Sequence, residues 1–325
     1  MGLLTYWGSS SQCIVDEAKK LGYEVKILNK NKNLFIASND EKTVLFKSTD
    51  CGVNSSLGFK IAQDKQLTYQ ILEQHHLPIA KSLYVSLQEE RDLEKIQAEG
   101  LTLPIVVKPL TEGHGNGITT NISTQEELEQ AFEFVKKYGD DIIIQEHIFG
   151  DEYRILVVGD KVSLCINRIP AFVMGDGKST IKELIEIENK NPDRGAGYHN
   201  VLSYIEIDTK LIEYISKNNL TLASIPEKNK IVQLRGVSNA GMGGMVKNEL
   251  PNLCESIKQD CIRAAKSLGL GIAGVDVITT DITKPLSETR GIIVEVNATP
   301  GIAFPESELK GTNAPKDIIE LVLVK

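Results

Sequence analysis

The chain is poor in the features that mark disulfide-stapled, membrane-embedded or nucleic-acid-binding proteins. It has only five cysteines, Cys13, Cys51, Cys165, Cys254 and Cys261. The number is odd and no pair has CxxC spacing, which argues against a disulfide frame and against zinc. Basic residues (36 Lys and Arg) are outnumbered by acidic ones (44 Asp and Glu), giving a formal net charge of −8. A nucleic-acid partner wants a basic footprint and finds none, although small anions fit wherever a few cations gather. No apolar run approaches the length of a membrane span. The start, MGLLTYWGSS, shows no basic leader, and Tyr6 stands where a myristoylation pattern needs Ser or Thr. Internal repeats and low-complexity linkers are missing too. What remains is ordinary globular composition, 41% hydrophobic and 25% charged, with length for two or three small domains. These exclusions predict a cytoplasmic protein without membrane or nucleic-acid partners.

Residues 1–60 are expected to form a small α/β unit. SSSQCIVDEAKKLG has the polar start and glycine end of a helix, with Ser10 or Ser11 as N-cap, and YEVKILN, NLFIAS and KTVLFKS have strand character. Residues 61–82 predict a helix ended by His75, His76 and the Leu77–Pro78 step. Adjacent histidines cannot share a helix face, so a solvated helix end is favoured over a metal site. In PIVVKPL, Lys108 interrupts a β-branched run and Pro109 predicts an end or edge of a sheet. A lysine held by a strand is a positioned point charge and suits phosphate. TEGHGNGI follows, where alternating glycines can turn backbone N–H groups around an anion or simply form a hairpin. It fits neither the P-loop nor the dinucleotide-binding glycine pattern. TQEELEQAFEFVKKYG is an amphipathic helix with a Thr124/Glu127 capping box. Gln145, Glu146, His147 and Ile148 end a strand, where an acidic group beside open backbone can bind an adenine edge and ribose hydroxyls. Residues 175–208 hold a short helix and read, by themselves, as a solvated insertion. KIVQLRGVSNAGMGGMVK gives a strand bearing Arg235 and a second glycine-rich loop, and residues 256–270 a helix beside the strand that carries Asp276.

That strand, GVDVITT, and the next, IIVEVNA, are joined by a polar turn. Glu295 and Asn297 stand two apart and therefore point to one face of their strand. An unpartnered carboxylate in so apolar a strand would be costly. Two partners are open: magnesium, which suits oxygen-only ligands, or a core arginine.

Taken in order, the quoted segments are DK at 64–65, VVKP at 106–109, EGHGNGI, IFGDEYRILVVGDK and IPAFVMGDGKSTIKELI. They continue with NPDRGAGYHNVL, LRGVSNAGMGG, GIAGVDV, DITKPLSET and VEVNATPG. Over residues 61–325 the chain resembles the ATP-grasp superfamily, and within it the ATP-grasp regions of cyanophycin synthetase and of the bifunctional glutamate–cysteine ligase/glutathione synthetase. The resemblance implies an α/β (α+β) fold in which two α+β subdomains sandwich ATP, preceded by the small unit at 1–60. It implies an ATP-covering subdomain at about 83–150 and a subgroup-specific insertion at 175–208. The implied cofactors are ATP and Mg2+ (or Mn2+). The implied activity is ADP-forming carboxylate–amine ligation through an acyl phosphate, on amino acids or short peptides.

Site residues follow from the same resemblance. Lys65 and Lys108 are implied to hold the ATP phosphates, and Glu112, Gly113, His114, Gly115, Asn116 and Gly117 to cover them. Gln145, Glu146, His147, Ile148 and Glu152 are implied at adenine and ribose, and Asp276, Glu295 and Asn297 as metal ligands. Arg235, with Asn239 in the loop after it, is implied to face the transferred phosphate, with Arg154 and Arg168 as substrate or phosphate contacts. These residues include no Mur-ligase-like half and no glutamate–cysteine ligase half, and SNAGMGG stands where the relatives tend to have a polar Ser/Thr before the glycine pair. Substrate identity, and polymerisation of arginine and aspartate especially, is therefore left open; so, separately, is homo-oligomerisation. Two other readings stand beside the ligase: an ATP-binding regulator without activity, and a phosphotransferase acting on a hydroxyl.

Overall fold

The computed structural model describes residues 7–87, 92–110, 117–196, 200, 202–236, 243–304 and 308–324. From the N-terminus, α1 (Ser9–Lys20) precedes β1 (Glu24–Asn29), β2 (Leu34–Ser38) and β3 (Thr43–Lys47). Then come α2 (Ser56–Ala62), α3 (Lys65–Gln74), β4 (Ser82–Ser86), α4 (Leu93–Ala98), β5 (Ile105–Pro109), β6 (Thr119–Ile122), α5 (Gln125–Val135) and β7 (Asp141–Glu146). The middle holds β8 (Asp151–Val158), β9 (Lys161–Ile169), β10 (Phe172–Met174), α6 (Ile181–Glu188), β11 (Arg194–Gly195), β12 (Leu202–Ser203), α7 (Thr209–Lys217), β13 (Ile231–Gln233) and β14 (Met245–Asn248). The chain closes with α8 (Glu255–Ser267), β15 (Ile272–Thr279), α9 (Leu286–Thr289), β16 (Ile292–Asn297) and α10 (Ala314–Ile319). Among the described residues no helix is long and apolar enough to cross a membrane.

The chain groups into two units. One comprises Met1–Val53, Glu152–Pro251 and Thr299–Lys325; the other comprises Asn54–Asp151 and Asn252–Ala298.

In the first unit the three strands predicted near the N-terminus form an antiparallel sheet in the order β1-β2-β3. Phe35 and Phe46 lie opposite each other in register and stack at 4.9 Å, with Trp7 edge-on to Phe35. The start of α1 differs from expectation. Its N-cap is Gly8, which makes no side-chain cap. The two serine hydroxyls serve distant chain instead: Ser10 accepts from the Ile302 N–H, and Ser11 donates to the Asn33 side chain. Strands β8 and β14 flank β9, both antiparallel to it. Ile181 and Ile185 of α6, inside the insertion, share a core with Leu211 and Ile215 of α7 and with Val173, Val232 and Leu234 beside the β10–β13 ribbon, all outside it. Amphipathic helices bury their apolar stripe against such a ribbon because neither could fold alone.

In the second unit four antiparallel strands run in the order β4-β7-β5-β6 over a core that includes Ile105, Val107, Ile142, Ile144, Leu128 and Val135. Of the two places expected from Pro109, an end or an edge of a sheet, the structure shows the end: the strand bearing Lys108 is interior and Pro109 closes it. The proline is tolerated because it is the last residue of β5 and pairing with β6 stops at Val107↔Thr119. The helix expected within 61–82 and ended by His75 and His76 is α3, whose C-cap is His75; residues 61 and 62 still belong to α2, and Asp64 restarts the chain by accepting from the Leu67 N–H. Strands β15 and β16 pair antiparallel, and α8 and α3 pack on them.

Candidate active site

The second unit gathers most of the residues in question. Lys108 is only 5% exposed on β5, and its ammonium donates to the Tyr69 hydroxyl at 3.3 Å while lying 5.4 Å from that ring's centroid. Tyr69 is also buried; its own hydroxyl donates to the Val294 carbonyl at 2.5 Å, which fixes it against β16. Burial brings the Lys108 amine down to about 8, opposed by the Glu295 carboxylate. Burial pushes the Tyr69 phenol up, so it stays protonated as a donor.

The β15–β16 register sets Asp276 opposite Glu295 and Gly274 opposite Asn297, so all three polar side chains share a face. A bulge follows at once, because Val277 pairs with Ile293 and leaves Val294 unmatched. Asp276 is 4% exposed and accepts from Asn297 Nδ2 at 3.3 Å. Two carboxylates directly opposed on neighbouring strands repel unless positive charge lies near; Lys108 acts on Glu295, and a metal ion would serve the same end. Oxygen donors alone, two of them carboxylates, fit a hard divalent cation such as magnesium. Among the described residues no group of three or more His, Cys, Asp or Glu could hold a metal, and a metal set here would have to draw on the Asn297 amide.

The remaining residues of this unit lie around the ends of β5 and β7. Lys65, one position past the α3 cap, reaches the Leu110 carbonyl at 3.4 Å, where β5 hands over to the first glycine-rich loop. Glu112, Gly113, His114, Gly115 and Asn116 lie outside the described residues; Gly117 has φ +71°, and a Cβ there would press on the Tyr138 ring. Gln145 is buried and donates to Ser82 Oγ. Glu146 accepts from the Thr102 N–H and hydroxyl, and His147 Nδ1 accepts from the Asn121 N–H. Burial lowers the His147 pKa, which agrees with a neutral ring accepting at Nδ1. Ile148 is half-buried. Gly150 has φ +151°, and a Cβ there would lie 2.5 Å from the Thr279 carbonyl carbon, so only glycine lets this turn approach β15.

The first unit holds the other residues. Glu152 on β8 and Arg168 on β9 are register partners and form an ion pair at 2.6 Å. Arg154, two residues on, shares their face. Arg235, 5% exposed, pairs with Asp208 at 3.1 Å and donates to the Glu206 carbonyl at 2.9 Å. Its Nε, with Ser163 Oγ, is a buried polar atom left without a partner among the described residues. Asn239 lies outside them.

Residues 71–215 match the family described as D-ala D-ala ligase C-terminus. The chain is 35% identical over 318 residues to a cyanophycin synthetase of Trichormus variabilis, covering 97% of this chain and 34% of that protein. It is 30% identical over 320 residues to the glutathione biosynthesis bifunctional protein GshAB of Clostridium perfringens, covering 96% and 41%. A crystal structure of a bifunctional glutathione synthetase from Pasteurella multocida has a TM-score of 0.73 at 25% identity, covering 97% of this chain and 43% of that one. The chain is thus similar to ATP-grasp ligases over nearly its whole length, and residues 71–215 match their D-ala D-ala ligase C-terminal (ATP-grasp) domain. It spans only about a third to two fifths of the length of these relatives.

Sequence reasoning missed Tyr69. Lys65 and Tyr69 are i, i+4 on α3 and so share a helix face; that spacing to a suspected phosphate lysine was the available signal. It also missed Asp208 and Glu206, whose pairing with Arg235 bridges distant parts of the sequence.

Proposed function

We propose that the chain is an ATP-dependent carboxylate–amine ligase acting on amino acids or short peptides. A substrate carboxylate oxygen attacks the γ-phosphorus of ATP, ADP leaves, and an acyl phosphate forms. An amine then attacks its carbonyl carbon; phosphate departs with the bonding pair, the amine loses a proton, and an amide remains. The observation that carries this reading is the second unit's combination of a buried lysine, Lys108, with facing Asp276 and Glu295 and the Asn297 amide. Phosphoryl transfer asks for positioning and charge neutralisation rather than covalent help from the protein. Lys108 and Lys65 would hold phosphate oxygens, and Glu146, His147, Ile148 and Glu152 adenine and ribose. Asp276, Glu295 and Asn297 would hold magnesium or manganese, which when bound neutralises phosphate charge. Arg235 would face the transferred phosphate with its Nε, which has no partner among the described residues, and Arg154 and Arg168 would contact substrate.

The names of the relatives, cyanophycin synthetase and glutathione biosynthesis protein, support amino acid or peptide substrates. Screening amino acids and dipeptides, singly and in pairs, for ATP-dependent phosphate release and product mass tests the proposal. Release that needs both a carboxylate and an amine, with a product of their summed mass less one water, is the expected result. Phosphorylation of a hydroxyl substrate would make the chain a phosphotransferase, and ATP binding without release for any pair would make it a regulator.

A further inference from the structure

The insertion at 175–208 reads in the sequence as solvated and inert, yet two buried arginines tie it to both ends of the second glycine-rich loop. On the N-terminal side of that loop, Arg235 donates to the Glu206 carbonyl and pairs with Asp208. On the C-terminal side, Arg194 Nη1 donates to two carbonyls at once, Ser203 at 2.8 Å and Gly243 at 3.0 Å. The rest of its fork, Nε and Nη2, holds Glu188 Oε1 at 3.1 and 3.0 Å, and the side chain has no solvent exposure. Between these anchors sits Ile205. Asn189 clamps it with a two-way amide link, donating to its carbonyl and accepting from its N–H. Gly243 has φ +85°, and a Cβ there would lie 2.7 Å from Ile205, so the glycine is seated directly on this residue.

We infer that residues 203–208 form a splint fixing both ends of the glycine-rich loop, and that Arg194 is a positioning residue for the reaction the loop serves. The second half rests on the ligase reading; the first does not. A guanidinium is required because one flat group must donate to a carboxylate and to two carbonyls together, a geometry an ammonium cannot reproduce. A surface insertion would tolerate loss of such a residue without effect on the loop. A splint would not.

The test uses the whole chain carrying Arg194→Lys, with Asn189→Ala as a second variant that removes only the clamp on Ile205. Thermal melting establishes which variants fold, and hydrogen exchange is followed for peptides spanning 236–245 and for α8 as an internal reference. In a folded variant, exchange across 236–245 should rise about tenfold or more while α8 is unchanged. Exchange at the wild-type rate in either folded variant would overturn the splint. With a substrate pair found in the phosphate-release screen, kcat should fall about tenfold or more with KM for ATP unchanged. Faster exchange with an unchanged kcat would overturn the positioning role. If wild-type protein turns over no carboxylate–amine pair, the ligase reading has failed, and the exchange measurement still decides the splint.

Discussion

Lys108 was legible in the sequence because it breaks an apolar β-branched run, and Glu295 and Asn297 because a period of two puts both on one face. Tyr69 was not, because a tyrosine in an amphipathic helix looks like any other core residue until the strands it touches are known. Lys108→Ala should weaken ATP binding by about 1.5–3 kcal/mol, the range for a charge-assisted hydrogen bond. Calorimetry showing wild-type affinity would make this lysine structural. Cys51 yields a pH prediction of known sign. Burial, against a smaller opposite pull from the Val53 N–H, pushes its thiol up to about 12 from 9.0. Between those values the folded chain keeps a proton that the unfolded chain has lost. The stabilisation is therefore complete below about pH 9 and disappears as the pH climbs through about 12. Native protein at pH 8 should resist iodoacetamide at Cys51 and react once unfolded, and Cys51→Ala should flatten the decline in melting temperature above pH 9. Rapid labelling of native Cys51 would contradict the burial on which this rests.

Elements were legible where the signal was local. The capping box at Thr124 and Glu127 forms as its spacing predicts, and Thr180 and Glu183 build a second one at the start of α6. They were illegible where distant chain decided the outcome. Ser10 and Ser11 have the chemistry of N-caps but are claimed by Ile302 and Asn33. The interior place of β5 depends on how far β6 extends, which no pattern around Pro109 reveals. The Thr180 cap is the one to test, since α6 also carries Glu188 and leads into Asn189. Thr180→Ala leaves the N3 amide without its acceptor and should cost about 1 kcal/mol. In urea this should lower the unfolding midpoint with an unchanged slope. An unaltered midpoint would mean that packing of Ile181 and Ile185 alone holds the helix.

At the scale of the molecule, the order of the motifs carried the resemblance, and the relatives align over nearly the whole chain. The grouping into units was not readable, since residues 1–53, 152–251 and 299–325 are joined by contacts far apart in sequence. The assignment of both cofactors can be tested on the whole protein without knowing either substrate. A ligand that binds only the folded state stabilises it by RT ln(1 + [L]/Kd), about 2.7 kcal/mol at a hundredfold excess over Kd. For a chain of this size that is a rise of a few °C in melting temperature. A non-hydrolysable ATP analogue with magnesium should give that rise, and EDTA should remove most of it, because the facing carboxylates of Asp276 and Glu295 repel the phosphates unless a cation lies between them. Glu295→Gln keeps the shape but removes a metal-ligating charge, so the share of the rise that EDTA abolishes should shrink. An equal rise with and without EDTA would end the metal assignment, and no rise in either would end the nucleotide site.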